Sequence, residues 1–328
     1  MYELAIGAII VALIFDFING FHDAANSIAT VVGTRVLKPF HAVSLAAMAN
    51  FFGPFLFGVA VATTIGKGII DPDFVTIHIV IAALVGAIVW NLITWWLGLP
   101  SSSSHALVGG IIGAGIAGVG THVILFGGLE KVFTGILVSP LVGLAGAFLL
   151  ATLIVKAFAN KNPANVNSIF GKLQLVSATY FSLTHGANDG QKTMGIIVLI
   201  LLTEGVLTTF EVPFWVILIA AIAISLGTFF GGWRIVKTMG ARITQLKPYQ
   251  GFAAETSGAT ILAILAHIGI PASTTHAISG SIMGAGAVRR VSAVRWGIGK
   301  RIVWAWIITI PASAAVAFLI MMIIKFFE

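Results

Sequence analysis

The stretch Pro271-Ala272-Ser273-Thr274-Thr275-His276 decides the fold, because the chain contains it twice. At residue numbers 171 lower stands Pro100-Ser101-Ser102-Ser103-Ser104-His105, and a matching run of Ala and Gly follows each histidine. Each copy comes after an apolar segment, in the form Gly-Leu-Pro or Gly-Ile-Pro. Proline favours a helix start, and Ser or Thr hydroxyls cap the free N–H groups there. We therefore predict two hydroxyl-rich helix N-termini in apolar surroundings, an arrangement that favours an anion.

The composition indicates a membrane protein. Hydrophobic residues make up 58% of the 328 residues and charged residues 9%, with a mean hydropathy of +1.05. Soluble domains carry about 25% charged residues. The length suits roughly ten helical spans of about 20 residues each. We predict an all-α polytopic membrane protein in the lipid bilayer, and we attribute the net charge of +7 to its topology and not to nucleic acid.

A polar connection divides the chain into two similar halves. Residues 159–172 are rich in asparagine, and about five apolar units lie on each side of them. We predict a first repeat over 1–158, a cytoplasmic linker over 159–172 and a second repeat over 173–328. Because each half has an odd number of units, the second enters the membrane upside down. This is the inverted-topology repeat of secondary transporters, here five units plus five.

The distribution of charged residues predicts the orientation. If both termini lie outside, the inside loops hold most of the 18 Lys and Arg residues. The outside loops then hold Asp71, Asp73, Glu130, Glu204 and Glu211. This agrees with the excess of basic residues in cytoplasmic loops. We expect a multi-pass protein of the cell membrane (inner or plasma membrane) with both termini outside.

Each half opens with an apolar segment that a polar cluster interrupts. The clusters cover residues 19–27 and 184–193, and each contains an aspartate, Asp23 or Asp189. An ionised aspartate at membrane depth costs about 2.5–3.5 kcal/mol, so it needs a partner, a cation or water. Neighbouring glycines allow a helix to unwind and expose carbonyls to a small cation. We predict an interrupted helix and a cation site at both places.

Together, the two clusters and the two hydroxyl-rich hairpins resemble the inorganic phosphate transporter (PiT) family, in its bacterial or archaeal form. The clusters are similar to that family's duplicated Gly-x-x-Asp signature, and the hairpins to its second repeated element. Two positions depart from the pattern. His22 stands where many members have Asn, and Lys192 stands where the other copy carries Asn26. The resemblance covers essentially the whole chain.

The resemblance implies a symporter that imports inorganic phosphate with a cation by alternating access. Na⁺ is favoured as the coupling ion and H⁺ is the other candidate, with no further cofactor and no enzymatic activity. It implies a homodimer and about 12 helices if discontinuous helices are counted twice. The implied phosphate ligands are Ser102, Ser103, Ser104, Ser273, Thr274, Thr275, Asn26 and Asn188. The implied Na⁺ ligands are Asp23, Asn26, Asn188, Asp189 and Glu255.

Other functions stay open at this stage. Sulfate or another tetrahedral oxyanion is the first alternative, although a protonatable carboxyl suits HPO₄²⁻ better than sulfate. An intramembrane phosphatase needs Arg or a metal at the phosphoryl group, and no Arg lies in the four motifs. A channel is the third alternative. The roles of His105, His276, Asp16 and Lys192 are each open between a ligand and a structural partner.

Overall fold

The computed structural model describes residues 2–327, and these form helices and connecting turns without a β-strand. The twelve α-helices are α1 (Tyr2–Gly33), α2 (Pro39–Phe52), α3 (Ala60–Lys67), α4 (Ile77–Leu97), α5 (Ser103–Gly118), α6 (Phe126–Ala157), α7 (Pro163–Thr203), α8 (Phe214–Phe230), α9 (Trp233–Lys237), α10 (Pro248–His267), α11 (Thr274–Ala287) and α12 (Trp296–Phe327). The predicted all-α class with about 12 helices is confirmed.

The order of elements in α1–α6 occurs again in α7–α12. A long first helix is followed by a bent pair, a helix, a helix with a hydroxyl-rich start, a 3₁₀ turn and a helix of 32 residues. The non-helical connection between the two sets is residues 158–162. Much of the expected linker, residues 163–172, therefore forms the first turns of α7.

The predicted interruption of α1 and α7 is wrong. Both helices run unbroken through their polar clusters. The breaks lie one element later, with a bend of 79° between α2 and α3 and of 58° between α8 and α9. A 3₁₀ turn that contains Pro54 follows α2, and Gly231 has a left-handed φ of 67° after α8. Asp23 and Asp189 have partners on their own helices, and Asn26 and Lys192 reach hydroxyls on facing helices, so these groups are satisfied without unwinding of the main chain.

Several helices are long and apolar enough to cross a membrane. They are Glu3–Gly33, Ile77–Leu97, Phe126–Ala157 and Trp296–Phe327, together with the two bent pairs if each pair is one span. Large apolar side chains such as Leu141 and Trp304 are exposed on α6 and α12. Exposed apolar surface of this extent suits lipid and not water. The chain is therefore a multi-pass membrane protein.

Helices of one half pack closely against helices of the other. α5 lies against α12, and α11 lies against α6. A Cβ atom placed on Gly113 would lie 2.0 Å from the carbonyl oxygen of Ala314. A Cβ atom on Gly284 would lie 2.1 Å from the carbonyl oxygen of Leu144. Small residues at such positions let two helix backbones approach, and here they fix the positions of both hydroxyl-rich helices.

We expect Gly113→Ala to lower the thermal stability of the purified protein by several degrees. The added methyl group forces α5 away from α12, and overpacking of this kind costs about 1–3 kcal/mol. The control is Gly127→Ala in α6, where no atom lies within 4 Å of the added Cβ. Melting of the detergent-solubilised protein, followed by tryptophan fluorescence, measures the difference. Equal melting temperatures for the two variants would contradict the packing role.

Candidate functional site

The two hydroxyl-rich helix starts form as predicted. Ser102 caps α5, and its hydroxyl accepts a hydrogen bond from the main-chain N–H of His105 at 3.3 Å. Ser273 caps α11 in the same way, with the N–H of His276 at 3.2 Å. The N–H groups at the start of a helix have no partner within the helix itself. The first turn at Ser103 can therefore offer main-chain donors, and the partial positive charge of the helix end, to an anion.

The two helix starts contact each other and α1. The Ser104 hydroxyl donates to the carbonyl oxygen of Ala272 at 3.4 Å, so the hairpins touch across the site. The side-chain amide of Asn26 donates to the hydroxyls of Thr274 at 3.1 Å and Thr275 at 3.0 Å. All of these side chains are buried. Three of the expected phosphate ligands from different parts of the sequence, Ser104, Thr274 and Asn26, thus meet at one place.

Both predicted aspartates lie at the start of α11. The Thr274 hydroxyl lies 3.5 Å from Oδ2 of Asp23 and 3.2 Å from Oδ2 of Asp189. One ligand atom from each of Asp23, His185 and Asp189 lies within 4.8 Å of the others. Carboxylate and hydroxyl oxygens are ligands of hard cations. The carboxylate oxygens of Asp23 and Asp189 therefore lie close enough together to fit a small hard cation.

Asp23 has a histidine partner that the sequence did not reveal. Nδ1 of His22 lies 2.5 Å from Oδ1 of Asp23. The other ring nitrogen, Nε2, lies 3.1 Å from the Thr94 hydroxyl and 3.3 Å from the Ser101 hydroxyl. Thr94 and Ser101 also bond to each other at 2.8 Å. Thr94 lies near the end of the largely apolar α4, and no sequence motif links it to His22.

Asp189 has two partners on its own helix. Nε2 of His185 lies 3.3 Å from Oδ2 of Asp189, and its Nδ1 lies 3.1 Å from the Asn50 side chain. The Lys192 ammonium bonds to Oδ1 of Asp189 and to the Ser104 hydroxyl. Lys192 is only 1% exposed, so its charge is held entirely by protein groups. Of the two open roles of Lys192, the structure shows the pairing with an aspartate.

Asn188 and Glu255 lie outside this set of contacts. The Asn188 amide donates to the carbonyl oxygen of Leu262 at 3.1 Å. Glu255 forms a second buried cluster, in which it accepts hydrogen bonds from Thr30 at 2.5 Å, from Gln174 at 3.0 Å and from Ser177. Thr30 and Gln174 were not among the predicted site residues, because no motif links them to Glu255.

Two histidines follow the hydroxyl runs and pack against each other. The rings of His105 and His276 lie 4.5 Å apart, edge to face, and His276 stacks on Trp306 at 3.7 Å. Between residues 2 and 327 neither ring is hydrogen-bonded to the aspartates. All four ring nitrogens are buried and have no hydrogen-bond partner among the described residues, so the role of both histidines stays open between a ligand and a structural partner. Asp16 is also buried, in α1, and faces Thr193 of α7.

Comparisons with known proteins all identify phosphate transporters as similar to this chain. The model of the phosphate transporter family matches residues 19–317. A protein of Rhizobium meliloti (strain 1021), described as a probable low-affinity inorganic phosphate transporter, is 55% identical over 96% of this chain and 95% of its own. A Bacillus subtilis (strain 168) protein of the same description is 45% identical over 97% of both chains.

A solved structure has the same fold. It is described as the sodium-dependent phosphate transporter, and it is 27% identical to this chain. The superposition has a TM-score of 0.88 and covers 99% of this chain and 100% of that one.

We expect Glu255→Leu to destabilise the protein more than Glu255→Gln. Leucine leaves the donors of Thr30, Gln174 and Ser177 unpaired in the interior, at about 1–3 kcal/mol for each buried group. Glutamine keeps the size and one acceptor oxygen. Thermal melting of the three purified proteins measures the difference. If the melting temperature of Glu255→Leu equals or exceeds that of Glu255→Gln, the hydrogen bonds of this cluster contribute nothing to stability.

Proposed function

The chain belongs to the phosphate transporter family, and from that premise we propose that it imports inorganic phosphate with a cation by alternating access. The relatives of the chain in this family are transporters, so the chain is a phosphate transporter and not an enzyme. Na⁺ is the favoured coupling ion, supported by the description of the structural neighbour, and H⁺ is the second candidate. The observation that carries the proposal is the contact of Thr274, at the start of α11, with both buried aspartates.

In this proposal phosphate binds between the two helix starts. Its oxygens accept hydrogen bonds from the hydroxyls of Ser102, Ser103, Ser104, Ser273, Thr274 and Thr275 and from free main-chain N–H groups of the same turns. The side-chain hydroxyl of Ser103 supports this, because it is buried and has no hydrogen-bond partner among residues 2–327. Asn26 already contacts both Thr274 and Thr275, so it completes the polar wall from α1. Asn188 is the candidate phosphate ligand on α7.

The cation binds next to the phosphate, at Asp23 and Asp189. Two carboxylates beside a helix start repel an incoming anion, and a cation between them removes that repulsion. The burial of both acids supports the coupling, because charges interact more strongly away from water. Asn26 and Asn188 add amide oxygens to this cation position. Glu255, in its separate cluster, is the candidate for a further Na⁺ on the same route.

The repeated element order supports an inverted repeat, which alternating access by two related halves would use. The two halves would cover 1–158 and 173–328, of which residues 1 and 328 lie outside the described range. We also keep the proposals of both termini outside, a location in the cell membrane, and a homodimer. Labelling of single cysteines placed in loops, and light scattering of the solubilised protein, test orientation and oligomeric state.

The test is uptake of ³²P-labelled phosphate into proteoliposomes under an inward Na⁺ gradient or an inward proton gradient. Uptake driven by Na⁺ at fixed pH supports the sodium symporter, and uptake driven only by protons replaces Na⁺ with H⁺. Excess sulfate is the competitor. Sulfate that abolishes phosphate uptake, and is itself taken up, would favour the general oxyanion permease. Absence of uptake by folded protein under both gradients would overturn the proposal.

We expect Asp23→Asn and Asp189→Asn to weaken cation-driven uptake more than they disturb folding. Each removes one of the charges that attract the cation, so the half-saturating cation concentration rises by about tenfold or more, equal to about 1.4 kcal/mol. Initial rates of uptake against cation concentration measure this. The control is Asp73→Asn in an exposed turn, which leaves the cation dependence unchanged. Normal uptake by both site variants at low cation concentration would contradict the coupling scheme.

We expect Ser103→Ala to raise the KM for phosphate roughly tenfold, because a hydrogen bond to a charged group contributes about 1.5–3 kcal/mol. The matched control is Ser279→Ala in α11, another buried serine whose hydroxyl has no partner within the described part of the chain. Ser279 lies beyond the first turn, so its loss leaves KM unchanged. Equal KM values for the two variants would remove Ser103 from the phosphate site.

A further inference from the structure

The two halves of the site differ at one position. When Gly20 of α1 is aligned with Gly186 of α7, Asp23 corresponds to Asp189 and Asn26 corresponds to Lys192. The first half therefore places a neutral amide where the second places an ammonium group. No other pair of corresponding groups within these contacts replaces a neutral side chain by a permanent charge.

Lys192 occupies the place in the second half that Asn26 occupies in the first. Asn26 donates to the hydroxyl of Thr275 at 3.0 Å, and Lys192 donates to the hydroxyl of Ser104. Thr275 and Ser104 are themselves equivalent, since they stand 171 residues apart in the two hairpins. Each side chain thus reaches from the long first helix of one half to the hydroxyl-rich helix of the other. The two side chains occupy equivalent places in the two halves, and only their charge differs.

The partners of the Lys192 ammonium are all oxygen atoms. They are a carboxylate oxygen of Asp189, the hydroxyl of Ser104 and the main-chain carbonyl of Ala272 at 3.4 Å. Carboxylate, hydroxyl and carbonyl oxygens are also the groups that bind small hard cations in proteins. The ammonium is buried and satisfies the need of Asp189 for a positive partner. Within residues 2–327, Asp23 has no lysine or arginine partner, and its side-chain hydrogen bonds are to His22 and Thr274.

We propose that Lys192 acts as a tethered cation, which takes the place of one coupling cation in the second half of the site. The site then contains one fixed positive charge, on Oδ1 of Asp189, and one mobile cation, between Asp23 and Oδ2 of Asp189, completes it. A transporter with Asn at both equivalent positions would require one mobile cation more for the same charge around phosphate. This inference rests on the proposed cation-coupled phosphate transport and specifies its stoichiometry.

The test is Lys192→Asn, which gives the second half the side chain of the first. Phosphate uptake into proteoliposomes is measured against the concentration of the cation that drives the wild-type protein. We expect the Hill coefficient for that cation to rise, by up to about one, since its upper limit is the number of coupled sites. The charge moved per phosphate, from uptake at potentials set by valinomycin and K⁺, increases by one. The control is Lys156→Asn at an exposed position of α6, which removes a lysine charge outside these contacts and keeps the wild-type values.

Phosphate binding provides a second measurement if Lys192→Asn does not transport. A ligand that binds only the folded state raises the melting temperature. The increase in melting temperature caused by phosphate is therefore measured, and the measurement is repeated at several cation concentrations. A phosphate-dependent shift that returns at high cation concentration supports the tethered cation. No shift at any cation concentration overturns it and makes Lys192 a direct phosphate ligand. If Lys192→Asn does not fold, Lys192→Gln, which is longer, replaces it in both measurements.

An unchanged Hill coefficient and an unchanged charge per phosphate in Lys192→Asn would overturn this inference alone, provided that the wild-type protein transports. Failure of the wild-type protein to take up phosphate under either gradient would instead overturn the proposed function, and this inference with it. The wild-type measurement therefore separates the two failures.

Discussion

Two carboxylates buried beside a helix N-terminus constrain the rest of this molecule. Asp23 and Asp189 are almost fully enclosed, and an ionised carboxylate in such a place needs a donor or a cation beside it. His22 contacts Asp23, while Lys192 and His185 contact Asp189. These donors come from the same helix as their acid. The contacts that hold the donors come from other helices, so the acids can keep their partners only if the whole bundle is assembled.

Close packing of helices makes that assembly possible. Gly20 of α1 and Gly186 of α7 show this, because an added Cβ would lie 2.2 Å from the carbonyl of Ile224 and 2.3 Å from that of Asn50. The same kind of contact joins α5 to α12 and α11 to α6. Each half therefore holds the hydroxyl-rich helix of the other. The two helix starts face one another because the halves interlock, and not because either half could form the site by itself.

The sequence predicted the helix starts well because their signal is local. A proline followed by hydroxyl residues fixes the caps at Ser102 and Ser273 through contacts within one turn. The prediction that the polar clusters interrupt their helices was wrong, because its outcome does not depend on local sequence alone. Whether a buried polar group unwinds its helix depends on the partner across the interface, and one sequence does not show that partner. The true breaks, near Pro54 and at Gly231, carried ordinary turn signals inside apolar segments.

The positions of the acids also give a physical reason to place the proposed anion and cation sites together. The N-terminus of α11 offers a partial positive charge, but Asp23 and Asp189 already face it through Thr274. A phosphate placed there without compensation meets two negative groups at short range, where screening by water is weak. In the proposed mechanism a cation held by the same carboxylates converts that repulsion into attraction, and the Lys192 ammonium paired with Asp189 supplies a part of this charge. In the proposed mechanism the carboxylates exclude phosphate until a cation binds, and this exclusion is the physical source of the proposed coupling.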